Sequence, residues 1–203
     1  MKKTCKFLAS PQRVGFLKRG VALVLDMYLA SILAHIPVLI IYSLQTGETQ
    51  MTQSLIALDP LWGMVACILA IGMVFFYYIG LPLKKWPGQT PMKRLLGIQV
   101  VSKNNFEKPL TWQSLVKREA LGVMVVEGGL IISGEYFRQF FWILTQQATL
   151  YQWWTQLSFG VTLFSIALAT FHPRGCALHD LIAGTQVIAL EADASEIKGP
   201  AFP

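Results

Sequence analysis

Gly88-Gln-Thr-Pro-Met-Lys-Arg-Leu-Leu-Gly-Ile-Gln-Val-Val101 sits between long apolar segments and packs a turn, an amphipathic run and a strand-like tail into one short stretch. The pattern returns at 175–188. An offset of 87 residues lays Gly88 on Gly175, Gly97 on Gly184, Gln99 on Gln186 and Val100 on Val187, with Leu95 against Ile182 and Val101 against Ile188. Both stretches read as a glycine, a short amphipathic turn or helix, a second glycine and a β-prone tail. The tails, 98–102 and 185–190, are expected to pair. Pairing would bring the two amphipathic segments side by side, where Lys93 or Arg94 could meet Asp180, the residue aligned with Lys93.

Outward from the first motif the chain is greasy. Apolar residues make up 54% and charged residues 14% of the 203 positions, against about 25% charged in an ordinary soluble domain, which points to lipid as solvent. Gly20 to Leu44 is a nearly unbroken apolar run, interrupted by Asp26, His35 and Pro37. At about 1.5 Å per residue it can cross a hydrocarbon core of about 30 Å. It is too long for a signal-peptide core and lacks a small-residue cleavage site, so it is read as a retained helix. Further spans are read at 61–81, 116–133 and 155–171, the second ending in the aromatic belt Phe75, Phe76, Tyr77 and Tyr78. The third is less clean, with Glu119 near its start and Glu127 inside. Residues 134–154, aromatic and amphipathic, read as an external interfacial segment or as an extension of the third span. Lys18-Arg19 and Lys117-Arg118 each open a span, at an offset of 99. The expected fold is therefore an all-α polytopic membrane protein of four transmembrane helices, arranged as two parallel halves. Amphipathic cytoplasmic segments and a short two-stranded β pairing complete it.

Charge placement gives the orientation. Of the 17 Lys and Arg residues, six precede the first span, eight lie between the second span and Arg118, two follow the fourth span, and one, Arg138, falls in the opposite loops. This positive-inside bias places both termini and the middle loop in the cytoplasm. The net charge of +6 is then a topology signal with a role in anionic-lipid contact, and nucleic-acid binding is not supported. Residues 1–19 are read as a basic cytoplasmic N-terminus, 20–190 as the membrane domain, and 191–203 as a flexible tail. Cys5, Cys67 and Cys176 are scattered and support neither a disulfide framework nor a zinc site.

Asp26 lies seven residues after Arg19, on the same helix face and about 10 Å further along the axis. A carboxylate at that depth costs about 2.5–3.5 kcal/mol on insertion scales, so it should face the bundle. It serves either an ion or proton site, alone or with Glu127, His35 or Asp180, or a buried ion pair with Arg118 or Arg19 that fixes helix packing. His35, two residues before Pro37, reads as a proton carrier or as a polar kink element. Glu127 precedes Gly128-Gly129, where close helix contact is possible, and is the secondary candidate for proton handling. His179-Asp180 lacks a catalytic context, because adjacent helical residues point about 100° apart. Cys176, three residues before His179, has no orienting third group. The GxxxxGK[ST] spacing of a phosphate loop is absent from 88–93. No enzyme, cofactor or metal site is expected.

These residues resemble the RDD family of small bacterial membrane proteins, named for an arginine and an aspartate in the first span and a second aspartate near the C-terminal end. Arg19-Gly-Val-Ala-Leu-Val-Leu-Asp26 matches the first-span pattern. Gly88 to Gly97 is similar to the family's G-x-T-x-G-K-r-l-l-G segment, with Met92 where the family usually has glycine. His179-Asp180-Leu-Ile-Ala-Gly-Thr185 is similar to its H-D-l-x-a-G-T segment, and Arg118-Glu119 to the Arg-Glu of its third span. The match nominates Arg19, Asp26 and Asp180. Lys93, Arg118, His179, Gly88, Gly97, Gly184 and Thr185 stand as family-motif or ion-pair residues.

The resemblance implies a bacterial inner membrane, and cation transport or cation/proton antiport is the activity proposed for some members. The expected function is thus Na⁺ or H⁺ transport through a polar site around Asp26, with Arg19, Glu127 and His35 as companions. Four spans are few for a transporter, so a homodimer is expected to complete the pathway. The alternative is a non-transporting accessory or assembly subunit that binds another membrane protein through its cytoplasmic motifs.

Overall fold

The computed structural model describes residues 14–48, 54–103, 110–172 and 175–190. The basic segment through Arg13 and the tail 191–203 lie outside the described residues, and with them the expectations placed on both. Helix α1 (Phe16–Thr46) buries one stripe, Ala22, Asp26, Ala30, Ala34, Val38 and Ile41, at the three- and four-residue spacing of a helix face. Alanines dominate the stripe and let α2 (Pro60–Lys84) approach closely. α2 opens with proline in its first turn, where the missing N–H costs nothing. It answers with Gly63, Ala66, Cys67, Ala70 and Val74. Its turns widen to π geometry over Phe76–Gly80 and both Tyr77 and Tyr78 are buried there. The opposite face of α1, with Val21, Val24, Tyr28, Ile32, Ile36 and Ile40, is exposed, and in a bilayer lipid covers it.

The short helix α3 (Pro91–Leu95) and strand β1 (Ile98–Ser102) come next in the chain. After them α4 occupies 112–126, beginning as α-helix at Trp112–Val116 and continuing as a π-helical stretch, Lys117–Val126. Then come α5 (Ile132–Thr145), α6 (Ala148–Phe171), α7 (Leu178–Ala183) and β2 (Thr185–Ala189). Among the described residues three helices are long and apolar enough to cross a membrane: α1, α2 and α6.

The span expected at 116–133 is not one helix. α4 stops at Val126 and the chain turns through Gly128 and Gly129 before α5 starts at Ile132. The two pieces touch backbone to backbone, since a Cβ on Gly134 would lie 2.5 Å from Gly128 Cα. Nor is 134–154 one segment, for α5 ends at Thr145 and α6 begins at Ala148. Tyr136 is fully buried, its ring meets His35 of α1 edge-on at 5.9 Å, and its carbonyl accepts from Cys67 Sγ of α2 at 3.3 Å. A polar helix can be buried this way because most of its polar groups find partners, Tyr136 Oη and Arg138 Nε excepted among the described residues. Glu135 accepts from Arg138 at 2.7 Å, from Gln139 at 2.7 Å and from Tyr151 of α6 at 2.5 Å. Arg138 also donates to Gly128 O at 2.8 Å, and Gln139 Oε1 accepts the Leu55 N–H at 2.7 Å. The last apolar helix begins at Ala148, not near Thr155.

The two tails pair as expected. β1 and β2 are antiparallel, with Val100 opposite Val187 at the centre. Leu190 N–H donates to Gly97 O at 2.8 Å and Lys103 N–H to Gly184 O at 2.9 Å, bonds that are equivalent under the 87-residue offset. The bounding glycines all sit in the left-handed region, with φ 68° at Gly88, 63° at Gly175, 59° at Gly97 and 62° at Gly184, which explains the residue type. The correspondence is confined to the motifs, because α1 is one helix whereas 112–145 is broken.

The ion pair expected between Lys93 and Asp180 does not form. Antiparallel strands place the helices that lead into them at opposite ends of the ladder. Five residues per strand, at about 3.3 Å each, separate those ends by about 15 Å.

Candidate functional site

Asp26, about three turns into α1, has zero exposure. Groups from two further elements close over it. Tyr77 of α2 donates its phenol to Oδ1 at 2.5 Å, while Thr90 and Lys93 donate to Oδ2 at 2.5 and 3.0 Å. Thr90 is also the N-cap of α3, accepting the Lys93 N–H at 3.4 Å. One hydroxyl therefore ties the start of α3 to the carboxylate. The Lys93 ammonium lies 3.3 Å from Thr90 Oγ1 and 5.6 Å from the centroid of the Tyr78 ring. α3 itself buries no residue, so these polar contacts, more than packing, seat it on α1.

Asp180 forms the second centre and is also fully buried. Arg19 donates to its Oδ2 and to Gly175 O. Arg118 lies 3.2 Å from Oδ1, Thr185 donates to Oδ1 at 3.3 Å, and the Ala177 N–H donates to Oδ2 at 3.1 Å, capping α7. Burial works against the charged carboxylate, but Arg118, His179 and Arg19 outweigh it and hold Asp180 well below the usual carboxylate range. Gly122 is what lets α7 come so near α4, for a Cβ there would lie 2.6 Å from His179 Cβ.

His179 is held on three sides. Its backbone N–H donates to Glu127 Oε1 at 2.6 Å and its Nδ1 to Glu127 Oε2 at 2.9 Å. Arg118 lies 3.2 Å from Nε2, and a guanidinium can only donate. Nε2 also lies 3.6 Å from Asp180 Oδ1. Arg118 also reaches Glu119 Oε1 at 3.5 Å.

Of the residues singled out in the sequence, the fold joins Asp26 to Lys93, and Arg19, Arg118 and His179 to Asp180. Arg19 and Asp26 share a helix face but each takes its partner from a different motif. Glu127 belongs to His179 and braces α7 and not Asp26. His35 lies apart from both centres, with Nδ1 2.6 Å from Ser31 O. Tyr77 and Thr90 were missed. Thr90-Pro91 carries the signal of a helix start, whereas Tyr77 looks like one more member of the aromatic belt. Glu135, Arg138 and Gln139 were missed as a set, although their i, i+3, i+4 spacing marks one helix face. Among the described residues no group of three or more His, Cys, Asp or Glu could hold a metal ion.

The family model described as the RDD family matches residues 13–184. No curated protein and no solved structure matches the chain.

Proposed function

The chain belongs to the RDD family of membrane proteins, and from that premise we propose that it exchanges a monovalent cation, Na⁺ or H⁺, at Asp26, with Lys93 as the tethered cation that occupies the site between turnovers. One observation carries the reading: a fully buried carboxylate is neutralised by an ammonium borne on a helix that buries nothing of its own. A charge at membrane depth must stay paired. A proton or Na⁺ arriving at Asp26 keeps the balance if Lys93 leaves, and the Thr90 and Tyr77 oxygens remain as hard ligands. Because Thr90 both binds Asp26 and caps α3, the exchange pivots α3 about its first turn. In this reading 112–145 is a fourth, broken passage, both termini are cytoplasmic, the membrane is a bacterial inner membrane, and a homodimer completes the path. No enzymatic step is involved.

The test is flux in proteoliposomes. The wild-type protein is expected to exchange Na⁺ for H⁺, and Asp26→Asn to reduce the rate to that of empty vesicles. Lys93→Met, which removes the tethered competitor, should lower the Na⁺ concentration needed for half-maximal rate. Wild-type rates in Asp26→Asn would overturn the proposal. The second reading, a non-transporting accessory subunit, is favoured by the fact that the acids Asp26, Glu127 and Asp180 are already paired. It gains ground if wild-type protein shows no flux and a membrane protein co-purifies with it in stoichiometric amount.

A further inference from the structure

The buried acids have partners, but at the end of the bundle that carries the strands three basic residues have no carboxylate partner among the described residues. Lys84 closes α2, Lys85 follows it, and Arg94 stands next to Lys93 on α3; all three are exposed. Among the described residues none of them has a carboxylate within 4.0 Å. Two of them share one platform. Lys85 Nζ lies 4.8 Å and the Arg94 guanidinium 5.0 Å from the centroid of the half-buried Trp86 indole. The ring attracts each cation without neutralising it, so the indole gathers a net positive charge that suits an anion. Leu83 and Leu95 are exposed alongside, Leu95 by 74%. Cations that carry apolar neighbours at the end of a spanning helix, around a tryptophan, have the chemistry of the headgroup layer.

We propose that Lys84, Lys85, Trp86 and Arg94 form a binding site for the phosphate of an anionic phospholipid, with Leu83 and Leu95 against its acyl chains. The apolar pair favours a lipid over free phosphate, which would use the cations alone. The site straddles the joint between α2 and α3, so an occupied site holds the free end of α3. Its neighbour Lys93 is then held on Asp26, and the lipid becomes a restraint on cation exchange; this last consequence rests on the proposed role of Asp26, whereas the lipid site does not.

Binding is read on the full chain in a neutral detergent by thermal unfolding, with retention of lipid followed by native mass spectrometry. Phosphatidylglycerol at a hundredfold excess over its Kd should raise the unfolding temperature by about 5–10 °C, and phosphatidylcholine should not. Lys85→Gln/Arg94→Gln should weaken phosphatidylglycerol about 30-fold. Trp86→Leu, which keeps the charges and removes the platform, should also weaken it. Equal shifts with phosphatidylcholine, an undiminished shift in the double variant, or a shift reproduced by inorganic phosphate at the same concentration would each overturn the proposal. Flux plays no part in this readout, so an inactive Asp26 leaves the result interpretable.

Discussion

The motifs at 88–101 and 175–188 share a backbone and grip the same helix with opposite charges. Each has two left-handed glycines around a short helix and delivers a strand to the same ladder. Lys93 reaches Asp26 and Asp180 reaches Arg19. The difference lies in how firmly each is held. Asp180 is a short side chain, fully buried, with two arginines, a hydroxyl and a backbone N–H around it. α7 is further pressed on α4 at Gly122 and braced by Glu127. Lys93 is a point charge on a four-carbon stem, and its helix buries nothing. One frame thus serves as an anchor on one side, and on the other as a latch that hangs on a single ammonium and a hydroxyl.

Four measurements put that contrast at risk. The largest effect belongs to Asp180→Asn, which strips a buried carboxylate from Arg19 and Arg118. We expect a loss of about 3–5 kcal/mol in reversible unfolding in detergent, and a loss no greater than that of Lys93→Met would erase the distinction. Lys93→Met itself should cost about 1.5–3 kcal/mol by leaving Asp26 without its charged donor. Adding Asp26→Asn should recover part of that cost, and a double variant worse than the sum of the singles argues against the pair. Gly122→Ala tests the seat of the anchor: its Cβ meets His179 and should cost about 1–3 kcal/mol by overpacking, with native stability pointing to a looser seat. The smallest effect is a pH slope. Asp180 is lowered from an ordinary value of 3.8, so below that value the unfolded chain binds the proton that the folded chain refuses. Its contribution is complete above the ordinary carboxylate range and fades as pH falls below it. Asp180→Asn should flatten the acid limb of an unfolding-versus-pH series, while an unchanged limb would assign the acid sensitivity elsewhere.

The parts of this arrangement that depend on neighbouring residues were legible in the sequence. α1 and α2 show as long apolar runs because lipid-facing helices need little else, and the two tails show as strands because Gly97 and Gly184 end the helices before them. What depends on distant residues was not. Arg19 and Asp26 share a face, which made a mutual pair plausible, but their partners come from opposite ends of a ladder whose antiparallel sense no single strand declares. The broken passage was hidden for another reason. Glu135, Arg138 and Gln139 look like the wet face of an interfacial helix, and only the fold reveals that they and Tyr151 spend their polarity on one another. The π turns of 117–126 likewise left no mark on hydropathy.

The ladder also orders events in time. Asp26 and Lys93 are 67 residues apart, whereas Arg19 and Asp180 are 161 apart. A chain emerging from its N-terminus therefore has the partner for the buried acid of its first helix long before the partner for the arginine. Arg19, near the start of α1, can stay hydrated while it waits; Asp26, deeper along the helix, cannot. Strand β2 comes directly after α7, so one late step sets Asp180 and closes the ladder together. Without that step strand β1 has no partner for its ladder, and an unpaired edge is a template for association with another chain.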